Sequence, residues 1–128
     1  GARAAFWAGL LSALSRWESD HRPEVRFTED FRDSTGALVV SRGLLQLSEE
    51  SARGYGCRFE AAEDLHDSAV NLSCGARILA RWAERDGVVT SEAAPWRGAA
   101  RYWSPFRDPA KRADMARWTA SQGACAPG

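Results

Sequence analysis

Long apolar runs are missing from this chain. No stretch approaches the roughly 18–20 apolar residues that a membrane-spanning helix needs, so no transmembrane segment is expected. Net charge is missing too. Lys and Arg number 17, as do Asp and Glu. Without a basic excess, neither a nucleic-acid partner nor a polybasic membrane anchor is expected. Cysteine and histidine are sparse, at three and two. None of their spacings resembles a zinc site, so no metal is expected. The chain opens at Gly1 with no Met and no charged-then-apolar leader, which reads as a trimmed or mature chain.

What is present suits a small globular unit. At 128 residues the chain can bury a real core. It reads as one domain over 1–128, with 119–128 as a C-terminal tail. No internal repeat is visible. Six tryptophans are many for this length, though Trp serves cores and binding surfaces alike. Cys57 and Cys74 lie on neighbouring segments and could close a short loop, which suits an oxidising compartment. Pairing of Cys125 with either of them is equally allowed. Buried free thiols are the plain alternative.

Local patterns divide the chain. In AAFWAGLLSALSRWE (4–18), Trp7, Leu11, Leu14 and Glu18 follow helical spacing, with Phe6, Leu10 and Trp17 widening the stripe. Pro23 marks the exit. Residues 24–40 begin polar, with Glu24, Glu29, Asp30 and Asp33, and then reach ALVV, a short strand or an extended loop. Ser48-Glu49-Glu50 is a helix start, and Gly54 and Gly56 stop that helix. Asp67 caps the next, in which Val70, Cys74, Ile78 and Trp82 repeat every four residues up to Gly87. Residues 88–107 are irregular. Asp108-Pro109 opens a last helix with Met115 and Trp118 on its apolar side. Several helices with little strand predict a mostly α fold.

Glu18 is the residue that invites chemistry. It extends the Leu11–Leu14 stripe, and a carboxyl group against apolar surface resists ionising. A carboxylic acid still protonated near neutral pH can protonate a leaving sugar oxygen. From helix periodicity alone, a helix-end glutamate turned to solvent is the simpler reading. Two further stretches change the weighting. In SRGLLQLS (41–48), Ser41 and Gln46 bracket Gly43, Leu44 and Leu45. In NLSCGARIL (71–79), Asn71 opens an apolar helix and needs buried partners.

Taken in order, Glu18-Ser19, then Ser41-x-Gly43-Leu44-x-Gln46-Leu47, then Asn71-Leu72-x-x-Gly75, the chain resembles the soluble lytic transglycosylases, lysozyme-like enzymes related in fold to goose-type lysozymes. The resemblance covers residues 6–84 well and 95–107 loosely. It implies a lysozyme-like helical domain with a substrate cleft. Glu18 would be the general acid/base. Ser41 and Gln46 would line the cleft, Leu44 and Leu45 would form its wall, and Asn71 would support it. Relatives carry a Tyr-Asn pair in a later loop. Here Tyr102 is followed by Trp103, a departure from that pattern.

The expected function is therefore cleavage of the β-1,4 bond between N-acetylmuramic acid and N-acetylglucosamine in peptidoglycan. The enzyme would be periplasmic or secreted, monomeric, and free of metal or organic cofactors. A hydrolase needs a second carboxylate to activate water, whereas a lytic transglycosylase uses the sugar's own hydroxyl. Asp33, Asp30 and Glu29 are the candidates, and solvated loop positions are their plain alternative. With Glu24 they would also give the cleft an acidic rim suited to de-N-acetylated glycan. A non-catalytic peptidoglycan-binding module of the same fold is the alternative function. Trp96, Trp103 and Phe106 are either a sugar-stacking shelf or core. His21 and His66 read as surface or capping residues.

Overall fold

A computed structural model describes residues 1–122. Helix α1 spans Ala2–Ser19. Its Ala- and Leu-rich sequence favours helix throughout. It ends where Asp20 turns left-handed (φ 55°) and its N–H donates to the Arg16 carbonyl at 2.9 Å. Strands β1 (Arg26–Arg32) and β2 (Leu38–Arg42) follow as an antiparallel hairpin, with Phe27 opposite Ser41 and Thr28 opposite Val40. The ALVV run is thus strand rather than loop. Its partner β1 was not read as a strand, because Arg, Glu and Asp around Phe27 and Phe31 dilute the alternation.

Helix α2 (Glu49–Gly54) starts after Ser48, as the acidic first turn predicts. Helix α3 (Ser68–Asp86) is capped by the Asp67 carboxylate, which accepts from the Val70 N–H at 3.1 Å, and stops at Gly87 with φ 71°. Helix α4 (Pro109–Ser121) is capped by Asp108, which accepts from the Lys111 N–H at 3.0 Å. The expected tail therefore starts too early. Thr119 is buried inside α4, its hydroxyl donating to the Met115 carbonyl. Residues 123–128, including Cys125, lie outside the described residues. The described residues are helix-rich with one two-stranded sheet. Among the described residues no helix is long and apolar enough to cross a membrane.

The core joins Leu10 and Leu14 of α1, Leu45 and Leu47 of the β2–α2 loop, Ile78 and Leu79 of α3, and Trp103, Phe106 and Met115. Trp103 and Phe106 are each 2% exposed, so the shelf reading does not describe them. Gly75 lets Leu45 sit directly on α3, since a Cβ there would overlap the Leu45 Cδ1 methyl. Trp17 corrects another expectation. It is 39% exposed, its indole N–H donates to Asp114 Oδ2 at 3.0 Å, and Lys111 Nζ lies 5.3 Å from its ring centre. It faces α4 and solvent rather than the core.

Cys57 is bonded to Cys74, 17 positions away, which tethers the segment after α2 to α3. Removing a crosslink of this loop length costs about 3 kcal/mol through the unfolded chain's regained freedom. A Cys57→Ser/Cys74→Ser protein is therefore expected to unfold at markedly lower denaturant. Urea titration of the oxidised wild type beside the double variant checks this, and equal midpoints would contradict it.

Candidate functional site

The C-terminal turn of α1, the hairpin and the loop before α2 converge on a groove of about 630 Å³. Glu18 comes from α1. Arg26, Phe27, Glu29, Phe31 and Arg32 come from β1, and Val39 and Ser41 from β2. Residues of both parities line the groove because the register of β1 shifts between Thr28 and Arg32. Gln46, Ser48 and Ser51 supply one wall, and Tyr102, Trp103 and Ser104 another.

Burial pushes the Glu18 carboxyl up, from 4.5 to about 7. The Lys111 ammonium opposes this rise, and the negative charge of Glu29 adds to it. Glu18 can therefore hold a proton near neutrality and release it to a basic oxygen. Removing water from its surroundings is the dominant cause.

The three candidate second carboxylates separate cleanly. Glu29 is partly buried in the groove, where its Oε1 accepts from the Ser41 hydroxyl at 2.9 Å. Asp33 sits at the groove's edge but closes the hairpin. Its Oδ1 accepts from the Thr35 hydroxyl at 2.6 Å, the Thr35 N–H at 2.9 Å and the Ala37 N–H at 3.2 Å. The Thr35 hydroxyl is the main reason its carboxyl lies below the usual range. Asp30 is exposed and does not line the groove, and neither does Glu24. Glu50 does line it, and holds the backbone N–H and hydroxyl of Ser34.

The loop 43–48 is held from behind. Asn71 is wholly buried. Its Oδ1 accepts from the Leu45 N–H at 2.9 Å, while its Nδ2 donates to the carbonyls of Arg42 (2.9 Å) and Leu65 (2.8 Å). Asn71 therefore positions the loop without touching the groove. Gly43 (φ 76°) passes so close to the Leu65 carbonyl that a Cβ would overlap it. Gln46 is left-handed (φ 52°), a costly backbone for a non-glycine residue. Its Nε2 donates to the carbonyls of Gly43 and Val25, which joins the loop to the chain before β1.

Leu44 and Leu45 do not form the groove wall. Leu45 turns into the core, and its carbonyl accepts from the Trp103 indole N–H at 3.0 Å. The Leu44 carbonyl accepts from the Ser19 hydroxyl at 2.9 Å, which ties the residue after Glu18 to the same loop. Tyr102 does line the groove. Burial raises its phenol pKa, against a hydrogen bond with Ser51, and its ring packs edge-on against Tyr55 and Trp103. His66 and His21 are hydrogen-bonded to the Pro23 carbonyl and the Ser15 hydroxyl, each at 2.8 Å. Sequence reasoning missed Phe27, Phe31, Ser51 and Lys111. The alternation Phe27-x-Glu29-x-Phe31 was a usable signal for the first two.

Comparison with solved structures finds close likeness. Wild-type form 2 of Bd0314 DslA from Bdellovibrio is 45% identical, with a TM-score of 0.86 over 94% of this chain and 68% of that one. This chain belongs to the DslA family. Two mutant forms of Bd0314 DslA, each with glutamine in place of a glutamate, match at 44% and 43% identity with TM-scores of 0.86 and 0.84. They share the same coverage, 94% of this chain and 68% of theirs. No protein-family model matches the chain, and no curated protein does.

Proposed function

We propose that this DslA-family protein is a lysozyme-like glycosidase that cleaves the β-1,4 bond between N-acetylmuramic acid and N-acetylglucosamine in peptidoglycan. The observation that carries the reading is Glu18, a carboxyl raised to about 7 in a groove that it shares with Glu29. Two further points support it. The motif order around Glu18, Ser41–Leu47 and Asn71–Gly75 resembles that of lysozyme-like enzymes. The glutamates exchanged in the two Bd0314 DslA mutants stand eleven positions apart, as Glu18 and Glu29 do.

In this mechanism protonated Glu18 gives its proton to the glycosidic oxygen as the C1–O bond breaks. The leaving sugar departs as an alcohol, and C1 acquires oxocarbenium character. Ionised Glu29, steadied by the Ser41 hydroxyl, takes a proton from water while the water oxygen bonds to C1. Glu18 needs its proton back for the next turn. The second carboxylate favours hydrolysis over formation of an anhydro sugar. Glu29, Asp33 and Glu50 outnumber Arg26 and Arg32 along the groove, which suits a glycan bearing free amines, so de-N-acetylated strands are the preferred substrate. The Cys57–Cys74 bond suits a periplasmic or secreted location.

Mass spectrometry of fragments released from purified walls tests the reading. Reducing ends are expected from the wild type. Anhydro ends would overturn the role given to Glu29, and wall binding without cleavage would point to a binding module instead. Equal rates on acetylated and de-N-acetylated walls at low salt would remove the amine preference. Glu29→Gln is expected to lower kcat by about 10²-fold or more, at the lower end of general-base effects. Initial rates on de-N-acetylated wall measure this, and an unchanged kcat would exclude Glu29 as the base.

A further inference from the structure

Phe27 and Phe31 are out of place by ordinary burial. They are 59% and 56% exposed, the most exposed large apolar side chains among the described residues. Both line the groove, and Glu29, midway between them along the strand, lines it too. Neither belongs to the core nor packs partly against it. Leaving two aromatic rings in water has no folding benefit. Exposed apolar side chains in a polar-rimmed groove mark a ligand surface.

The hairpin holds them in place. Its register shifts between the Thr28–Val40 and Arg32–Leu38 pairs, so Glu29 and Phe31 stand in an irregular stretch of β1, with Phe27 just before it. Phe27 pairs with Ser41, and the Ser41 hydroxyl holds Glu29. The turn beyond Phe31 is closed by Asp33 through Thr35 and Ala37. A pyranose ring offers a face of C–H groups, which suits the electron-rich face of an aromatic ring.

We propose that Phe27 and Phe31 are stacking platforms for sugar rings on the two sides of Glu29, so that the hairpin sets the register of the glycan across the scissile bond. This rests on the glycosidase reading above. It assigns the hairpin a specificity role separate from proton transfer.

The test uses glycan strands from de-N-acetylated wall and protein carrying Glu18→Gln, so that binding is read without cleavage. In that background Phe27→Leu and Phe31→Leu are each expected to weaken binding about tenfold, while Phe27→Tyr and Phe31→Tyr keep it. Leucine retains apolar area but loses the ring face, so the pair separates stacking from simple burial. In the Glu18 protein the leucine variants should raise KM with kcat little changed. Their thermal midpoints should match wild type, because the rings are outside the core. Leucine variants that bind and cleave like wild type overturn this proposal and leave the glycosidase reading standing. A Glu18→Gln protein that binds no glycan, with a wild type that cleaves none, overturns both.

Discussion

Glu18→Gln is expected to slow wall cleavage by about 10²–10⁴-fold, the range that a positioned general acid contributes. Glutamine keeps the shape and one hydrogen-bonding oxygen but has no proton to give. The wild-type rate should itself report the acid. Since the Glu18 carboxyl is raised to about 7, kcat should be half lost near that pH and fall about tenfold for each further unit. A profile with no break near 7 would mean that Glu18 is not the proton donor.

The same carboxyl leaves a mark on stability, with a definite sign. Its folded-state pKa lies above the ordinary 4.5, so between those values the folded state holds a proton that the unfolded state has lost. The wild type is then relatively most stable below 4.5 and loses that advantage as pH rises through about 7. The full effect is about 3 kcal/mol. Glutamine does not titrate. Glu18→Gln should therefore match wild type near pH 4 and exceed its stability by about 2–3 kcal/mol at pH 8. Urea unfolding at the two pH values checks this. A gap that is constant with pH would contradict the burial of this carboxyl.

Asn71→Leu is expected to cost about 3–6 kcal/mol, because it strands three buried backbone groups at once. They are the Leu45 N–H and the carbonyls of Arg42 and Leu65. A loss of that size is a large fraction of a small domain's total stability. Asn71→Asp is the informative companion. It preserves shape and the acceptor for Leu45 but replaces the donor with a carboxylate facing two carbonyls. If the amide acts through its donor as well as its acceptor, Asp should be no better tolerated than Leu. Activity should fall with stability, since the loop that Asn71 holds carries Gln46 to the groove. Denaturant midpoints within about 1 kcal/mol of wild type for both variants would show that the loop is held elsewhere.

Helix positions were legible because their signals are local. The stripe through Leu14, the Asp67 and Asp108 caps and the Gly87 stop act within a few residues, and α1, α3 and α4 follow them. The same spacing placed Glu18 at the helix end beside apolar surface, but only the ordered motifs downstream made it the candidate acid. The ordered motifs added Ser41, Gln46 and Asn71, residues whose roles depend on backbone shape close in sequence.

Only the tertiary structure decided the rest. Which of Glu29, Asp30 and Asp33 enters the groove depends on the register of β1 against β2, since one step turns a strand residue to the other face. That register comes from pairing with residues about a dozen positions on, such as Phe27 with Ser41. Leu45 turns inward because Gly75, on a different helix, leaves it a place, and Trp17 turns outward because Asp114 of α4 takes its N–H. Cys57 meets Cys74 because α2 and α3 bring them within 5.4 Å between Cα atoms. The candidate acid itself was visible in sequence. The depth of its burial, and hence the pH at which it holds a proton, was set by packing from the hairpin, the 43–48 loop and α4.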